Sequence, residues 1–159
     1  GYSDVYNTRL SESIEIDYLI DVYGPVDLKK LYQDRHPVVD KLRSAGDKLP
    51  ESVRDVFNLN HWLFGFNPAE RPKEAEAFAT IYSPVSYLRE GLPPTLIIHG
   101  MKDRLVPVSQ SHNLKSALDS VGIISSSYIL DGVDHGFFFA TKEEKEEVQQ
   151  RIVEFVMQH

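Results

Sequence analysis

Two apolar runs, each closed by a glycine-bearing loop, limit what this chain can fold into. The first is Pro93-Pro94-Thr95-Leu96-Ile97-Ile98-His99-Gly100, followed by Met101-Lys102-Asp103-Arg104-Leu105-Val106-Pro107. The second is Tyr128-Ile129-Leu130, followed by Asp131-Gly132-Val133-Asp134-His135-Gly136-Phe137. A short apolar run without polar alternation is what a parallel strand buried on both faces looks like. Between the runs, residues 109–121 place Leu114, Ala117, Leu118 and Val121 on one side of a helix, with Gly122 as its stop. Strand, loop, helix, strand, loop is a crossover unit, expected to be right-handed, and its two loops leave the carboxyl ends of neighbouring strands. Open α/β sheets keep their sites at that edge. The first loop delivers Asp103 there and the second delivers His135.

The remaining segments supply a third strand and the covering helices. Residues 14–23 carry Ile14, Ile16, Tyr18, Leu19, Ile20, Val22 and Tyr23 and are stopped by Gly24-Pro25, which predicts a strand. Asp27 reads as a turn or capping residue. In 29–80 the alternation of strand and helix gives way to short helical patches broken by Pro37, Gly46, Pro50, Pro68 and Pro72. Within it, 51–64 spaces Val53, Val56, Phe57, Leu59, Leu63 and Phe64 near a helical period and holds the only tryptophan, Trp62. Residues 75–88 begin helical and should stop near Tyr82 or Ser83, because Pro84 disfavours a helical residue before it. Residues 123–130 form the last strand, whose Ser125, Ser126 and Ser127 imply a less buried start near a sheet edge. Thr141 and Glu144 form a capping box, after which Val148, Ile152, Phe155 and Val156 give one apolar helix face. Residues 1–13 show no period and read as a connecting loop.

The order Leu-Ile-Ile-His-Gly, Asp103, Val-Pro, then Gly132-Val133-Asp134-His135-Gly136-Phe137 resembles the acid and histidine loops of the α/β-hydrolases. Asp21-Val22-Tyr23-Gly24-Pro25-Val26-Asp27-Leu28 resembles the strand and turn that follow the nucleophile's helix in that family, and Tyr82-Ser83-Pro84 resembles the segment before the acid-bearing strand. The likeness is to carboxylesterases of the feruloyl and acetyl esterase kind first, and to prolyl-oligopeptidase-type peptidases next. It implies an α/β fold that is a partial α/β-hydrolase, with about three parallel strands, flanking helices and a small helical cap insertion over 29–80. It also implies that 1–159 is the C-terminal portion of one such domain and that Asp103 and His135 are the acid and base of a Ser-Asp-His triad. His99 then reads as a structural residue near the site, and Lys102, Arg104 and Asp134 as solvated charges.

The family's nucleophile sits on a Gly-x-Ser-x-Gly elbow between strand and helix. No such string occurs in the 159 residues. Gly1-Tyr2-Ser3-Asp4-Val5 lacks the last glycine and a preceding strand, so Ser3 reads as a loop residue. Ser83 and Ser86 have no glycine elbow and read as capping or turn hydroxyls. The nucleophile and the oxyanion donors are therefore expected upstream of Gly1, and this chain alone is expected to be inactive. The missing upstream strands would leave the edge of 14–23 bare, which predicts self-association or pairing with the N-terminal half. Trp62, Phe64, Phe66 and Phe137 are the candidates for an acyl or aromatic pocket wall, against simple burial on the sheet or at its rim.

Charge and composition narrow the partners. A net charge of −7, from 24 acidic against 17 basic residues, disfavours nucleic acid or an anionic membrane as a partner through a basic face. No apolar run reaches the length of a membrane span. Without cysteine there is no thiolate nucleophile and no cysteine-ligated zinc, and no histidine cluster suggests another metal. No cofactor is expected, since neither a P-loop nor a dinucleotide fingerprint is present. The expected partner is a small-molecule ester. A non-catalytic ligand-binding protein on the same scaffold stays open as an alternative, since it could keep Asp103 and His135 and lose the serine.

Overall fold

The structure is a computed structural model that describes residues 15–33, 65–66 and 70–159. Expectations for Ser3, Trp62, Phe64, the loop at 1–13 and the helix at 51–64 lie outside the described residues. The sheet has three parallel strands in the order β1 (Leu19–Val22), β2 (Thr95–Gly100), β3 (Ser125–Leu130). Four helices accompany it among the described residues: α1 (Leu28–Gln33), α2 (Pro72–Tyr82), α3 (Ser109–Ser120) and α4 (Lys142–Gln158).

Every residue of β2 is buried, as its apolar run predicts for a central parallel strand. Alternate side chains serve opposite faces of the sheet. Leu96 and Ile98 pack with Leu130, Val133, Val148 and Phe155 under α4, while Ile97 packs with Val26, Leu114, Leu118 and Ile123 under α3. β3 is burial-poor at its serines and closes on buried Leu130. α3 stops where Gly122 takes φ 73°, a left-handed conformation that a residue with Cβ resists. α4 starts with both halves of its capping box: Thr141 Oγ1 accepts from the Glu144 amide at 3.1 Å, and Glu144 Oε2 accepts from the Thr141 amide at 2.7 Å.

Two boundaries differ from expectation for physical reasons. The paired part of β1 covers only Leu19–Val22, because its partner strand is preceded by Pro93-Pro94. Pro94 still accepts from the Leu19 amide at 2.9 Å, but a proline has no N–H with which to extend the ladder. Pro72, expected as a break, instead opens α2 at a position where a proline N–H would go unused. α1 and α2 pack on each other through Leu28, Leu31, Ala75, Phe78 and Ala79, joined by Phe66. Ser83 ties them together: its buried hydroxyl donates to the Ala79 carbonyl at 2.5 Å and accepts from the Leu28 amide at 2.9 Å. That is a capping hydroxyl and not an exposed nucleophile. No described helix is long and apolar enough to cross a membrane.

Candidate active site

The site forms where the loops after β2 and β3 meet. Gly100 lets them close on each other, since a Cβ there would sit 2.4 Å from the Val133 carbonyl oxygen. The approach is held by Met101 N–H donating to Leu130 O at 2.8 Å and Lys102 N–H donating to Val133 O at 2.9 Å. Asp103 then turns back beneath the first loop, with its side chain wholly buried. Its Oδ1 accepts from the Leu105 and Val106 amides, each at 2.8 Å. Its Oδ2 accepts from His135 Nδ1 at 2.8 Å and lies 3.2 Å from His99 Nε2. Burial pushes the Asp103 carboxyl up, but donors on both oxygens, from His99, the Val106 amide, His135 and the Leu105 amide, outweigh it and hold the carboxyl below its ordinary value.

His135 is the exposed member, with 30% of its side chain accessible. A carboxylate accepts only, so Nδ1 carries the proton and the Nε2 lone pair is directed away from Asp103. Among the described residues Nε2 has no hydrogen-bond partner. The Tyr23 ring lies on the imidazole, 4.6 Å between centroids at 59°, and on Phe137 at 5.5 Å and 71°. Tyr23 reaches that position by leaving β1 at φ 47°, an uncommon conformation for a residue with a bulky side chain.

A second carboxylate locks the two loops together. Asp134 Oδ1 accepts from the Arg104 amide at 3.0 Å and the His135 amide at 2.8 Å, while Oδ2 accepts from Arg104 Nε at 2.6 Å and pairs with Arg104 Nη2. The expectation of a solvated charge is wrong for Asp134, which is only 8% exposed. Its burial raises the carboxyl, and the Arg104 and His135 donors more than offset that, so it too is held below the ordinary range. Beside this pair opens a cleft of about 400 Å³ that includes Met101, Asp103, Gly132 and Phe139 in its lining and no serine among the described residues.

The expected aromatic residues divide. Phe137 lies beside Tyr23 and against the core under α4. Phe66 packs with α1 and α2, and the Arg71 guanidinium lies 4.8 Å above its ring. Tyr23 and Asp134 belong to the site, yet nothing in their residue types marked them. The one available signal was position, Tyr23 at the carboxyl end of a strand and Asp134 next to His135.

The BD-FAE family model matches residues 2–118. Over 75 residues the chain is 33% identical to the esterase LipQ of Mycobacterium tuberculosis, covering 46% of this chain and 18% of that protein. Over 135 residues it is 27% identical to the esterase LipC of the same organism, covering 83% of this chain and 28% of that protein. The chain thus matches between 18% and 28% of the length of these curated relatives. Among solved structures, a truncated form of a carbohydrate esterase from gut microbiota superposes with a TM-score of 0.57 at 22% identity, over 88% of this chain and 42% of that one. That likeness supports the fold, three parallel strands and flanking helices of α/β-hydrolase type. With most of its length matched, the chain belongs to the BD-FAE family.

Proposed function

We propose that this chain furnishes the acid and the base of a Ser-Asp-His triad in a carboxylic ester hydrolase, and that the serine comes from a preceding segment of the complete protein. The observation that carries the reading is the 2.8 Å bond from His135 Nδ1 to Asp103 Oδ2, with the acid sealed inside and the base part-exposed. The family match includes Asp103, and His135 lies beyond it, so the role of His135 rests on this geometry. With Nδ1–H committed to the carboxylate, Nε2 takes the proton of a serine hydroxyl as that oxygen attacks an ester carbonyl. The imidazolium then hands the proton to the departing alkoxide, and the same base activates water to release the acyl group. Asp103 stays ionised throughout and stabilises the cation beside it. Its lowered pKa suits that role.

The test uses a fluorophosphonate, which labels an activated serine. The 159-residue chain should hydrolyse aryl acetates no faster than background and take up no label. In the complete protein the label should map by mass spectrometry to one serine on a Gly-x-Ser-x-Gly string. Labelling of Ser3, Ser83 or Ser86, or a product burst stoichiometric with the isolated chain, would contradict the reading.

A further inference from the structure

The Asp103 carboxylate carries a second imidazole. His99, the fifth residue of β2, is 0% exposed, and its Nε2 lies 2.9 Å from the Val106 carbonyl oxygen and 3.2 Å from Asp103 Oδ2. Neither oxygen can donate, so Nε2 carries the proton; it is hydrogen-bonded to Val106 O at 2.9 Å, with Asp103 Oδ2 the next acceptor at 3.2 Å. Nδ1 is then the lone pair, and at 2.7 Å it accepts from the hydroxyl of Ser111, also 0% exposed, in the first turn of α3. A carboxylate fixed only through Oδ1 could still tilt about its Cβ–Cγ bond and swing Oδ2 off the line to His135. The His99 N–H acts on Oδ2, the same oxygen that receives His135 Nδ1–H. Mere filling of the core would not require a histidine in one tautomer, backed by a buried hydroxyl, at this point.

We propose that His99 and Ser111 are positioning residues for the acid: Ser111 sets the tautomer of His99, and His99 Nε2–H holds Asp103 Oδ2 in line with His135 Nδ1–H. The inference rests on the reading of Asp103 and His135 as acid and base. It extends the functional unit to a four-residue chain, Ser111, His99, Asp103, His135, which couples the start of α3 and the end of β2 to the base.

The test compares His99→Phe, which keeps a planar ring without a donor, with His99→Gln, whose amide N–H can replace Nε2–H, and with Ser111→Ala. In the complete protein, kcat and KM for an aryl acetate are measured with the thermal midpoint. In this chain, the downfield Nδ1–H proton resonance of His135 is followed by NMR, identified by its loss in Asp103→Asn. His99→Phe should lower kcat about 10- to 100-fold with KM within about 2-fold, the scale of a misplaced catalytic group. Recovery to within about 3-fold is expected for His99→Gln, and a loss of about 3- to 10-fold for Ser111→Ala, because each restores or removes only part of the alignment. The His135 resonance should broaden or shift in His99→Phe and Ser111→Ala and return in His99→Gln. Unaltered kcat and resonance in His99→Phe and Ser111→Ala would overturn the inference, as would His99→Gln falling as far as His99→Phe. Should His99→Phe not fold, an unaltered kcat and resonance in Ser111→Ala overturn it alone. His135→Ala, measured alongside, separates the two readings. If it abolishes turnover while His99→Phe does not lower it, only the positioning role falls; if it retains turnover, both fall.

Discussion

Two carboxyl groups flank His99, and they titrate in opposite senses. Asp103 has a folded pKa below the ordinary 3.8, so the stability it contributes is present above that value and is lost as pH falls through its folded pKa. Asp21, at the end of β1, is pushed up by burial; the Gly24 amide pulls the other way without cancelling it, and its Oδ2 has no partner among the described residues. A raised pKa means that the stability from Asp21 is complete below 3.8 and lost as pH rises through its folded pKa. Asp21→Asn keeps an oxygen for the Gly24 amide and removes the charge, so its thermal midpoint should exceed the parent's at neutral pH, with the gain shrinking as pH falls through the folded pKa of Asp21 towards 3.8 and gone below it. A difference that ignores pH, or grows on acidification, would show the carboxylate to be better satisfied than its surroundings imply. At this scale the pairing of Asp103 with His135 was legible because each closes a strand-end loop. Asp134 was not, since a charge between two loops gives no sign of which way it faces. Nor was the left-handed turn at Tyr23, because residue type does not encode it.

Among the elements, the ends were more legible than the pairings. Thr141 and Glu144 announced the start of α4, and both capping bonds are present. Thr141→Ala leaves the Glu144 amide without its acceptor, so urea denaturation should show a loss of about 1 kcal/mol. An unchanged midpoint would mean that the helix start is held by its packing alone. β2 was legible from its uninterrupted apolar run, whereas the length of β1 depended on which strand pairs with it. Pro93-Pro94 sits in plain view in the sequence, but it limits β1 only once β2 is known to be the neighbour. In the same way Pro72 could break or open a helix, and the surrounding packing of α1 on α2 decided for opening.

For the whole molecule, the arrangement puts the Asp103–His135 pair at one edge of the sheet. α3 and α4 cover opposite faces, so the strands can be apolar on both sides and the polar groups gather in the loops beyond Gly100 and Leu130. Those loops are bound to each other by Gly100 contacts and by Asp134, which gives the Asp103–His135 pair a frame independent of any substrate. The crossover and its two loops were readable from the order of residues, as was a fold of α/β-hydrolase type. The proposed role of His135, held by Asp103, as the base of an ester hydrolase is tested most directly by kcat for an aryl acetate in the complete protein before and after His135→Ala. A loss of about 10⁴-fold or more is expected, with the fold intact by circular dichroism. Near-normal turnover in the folded variant would contradict it.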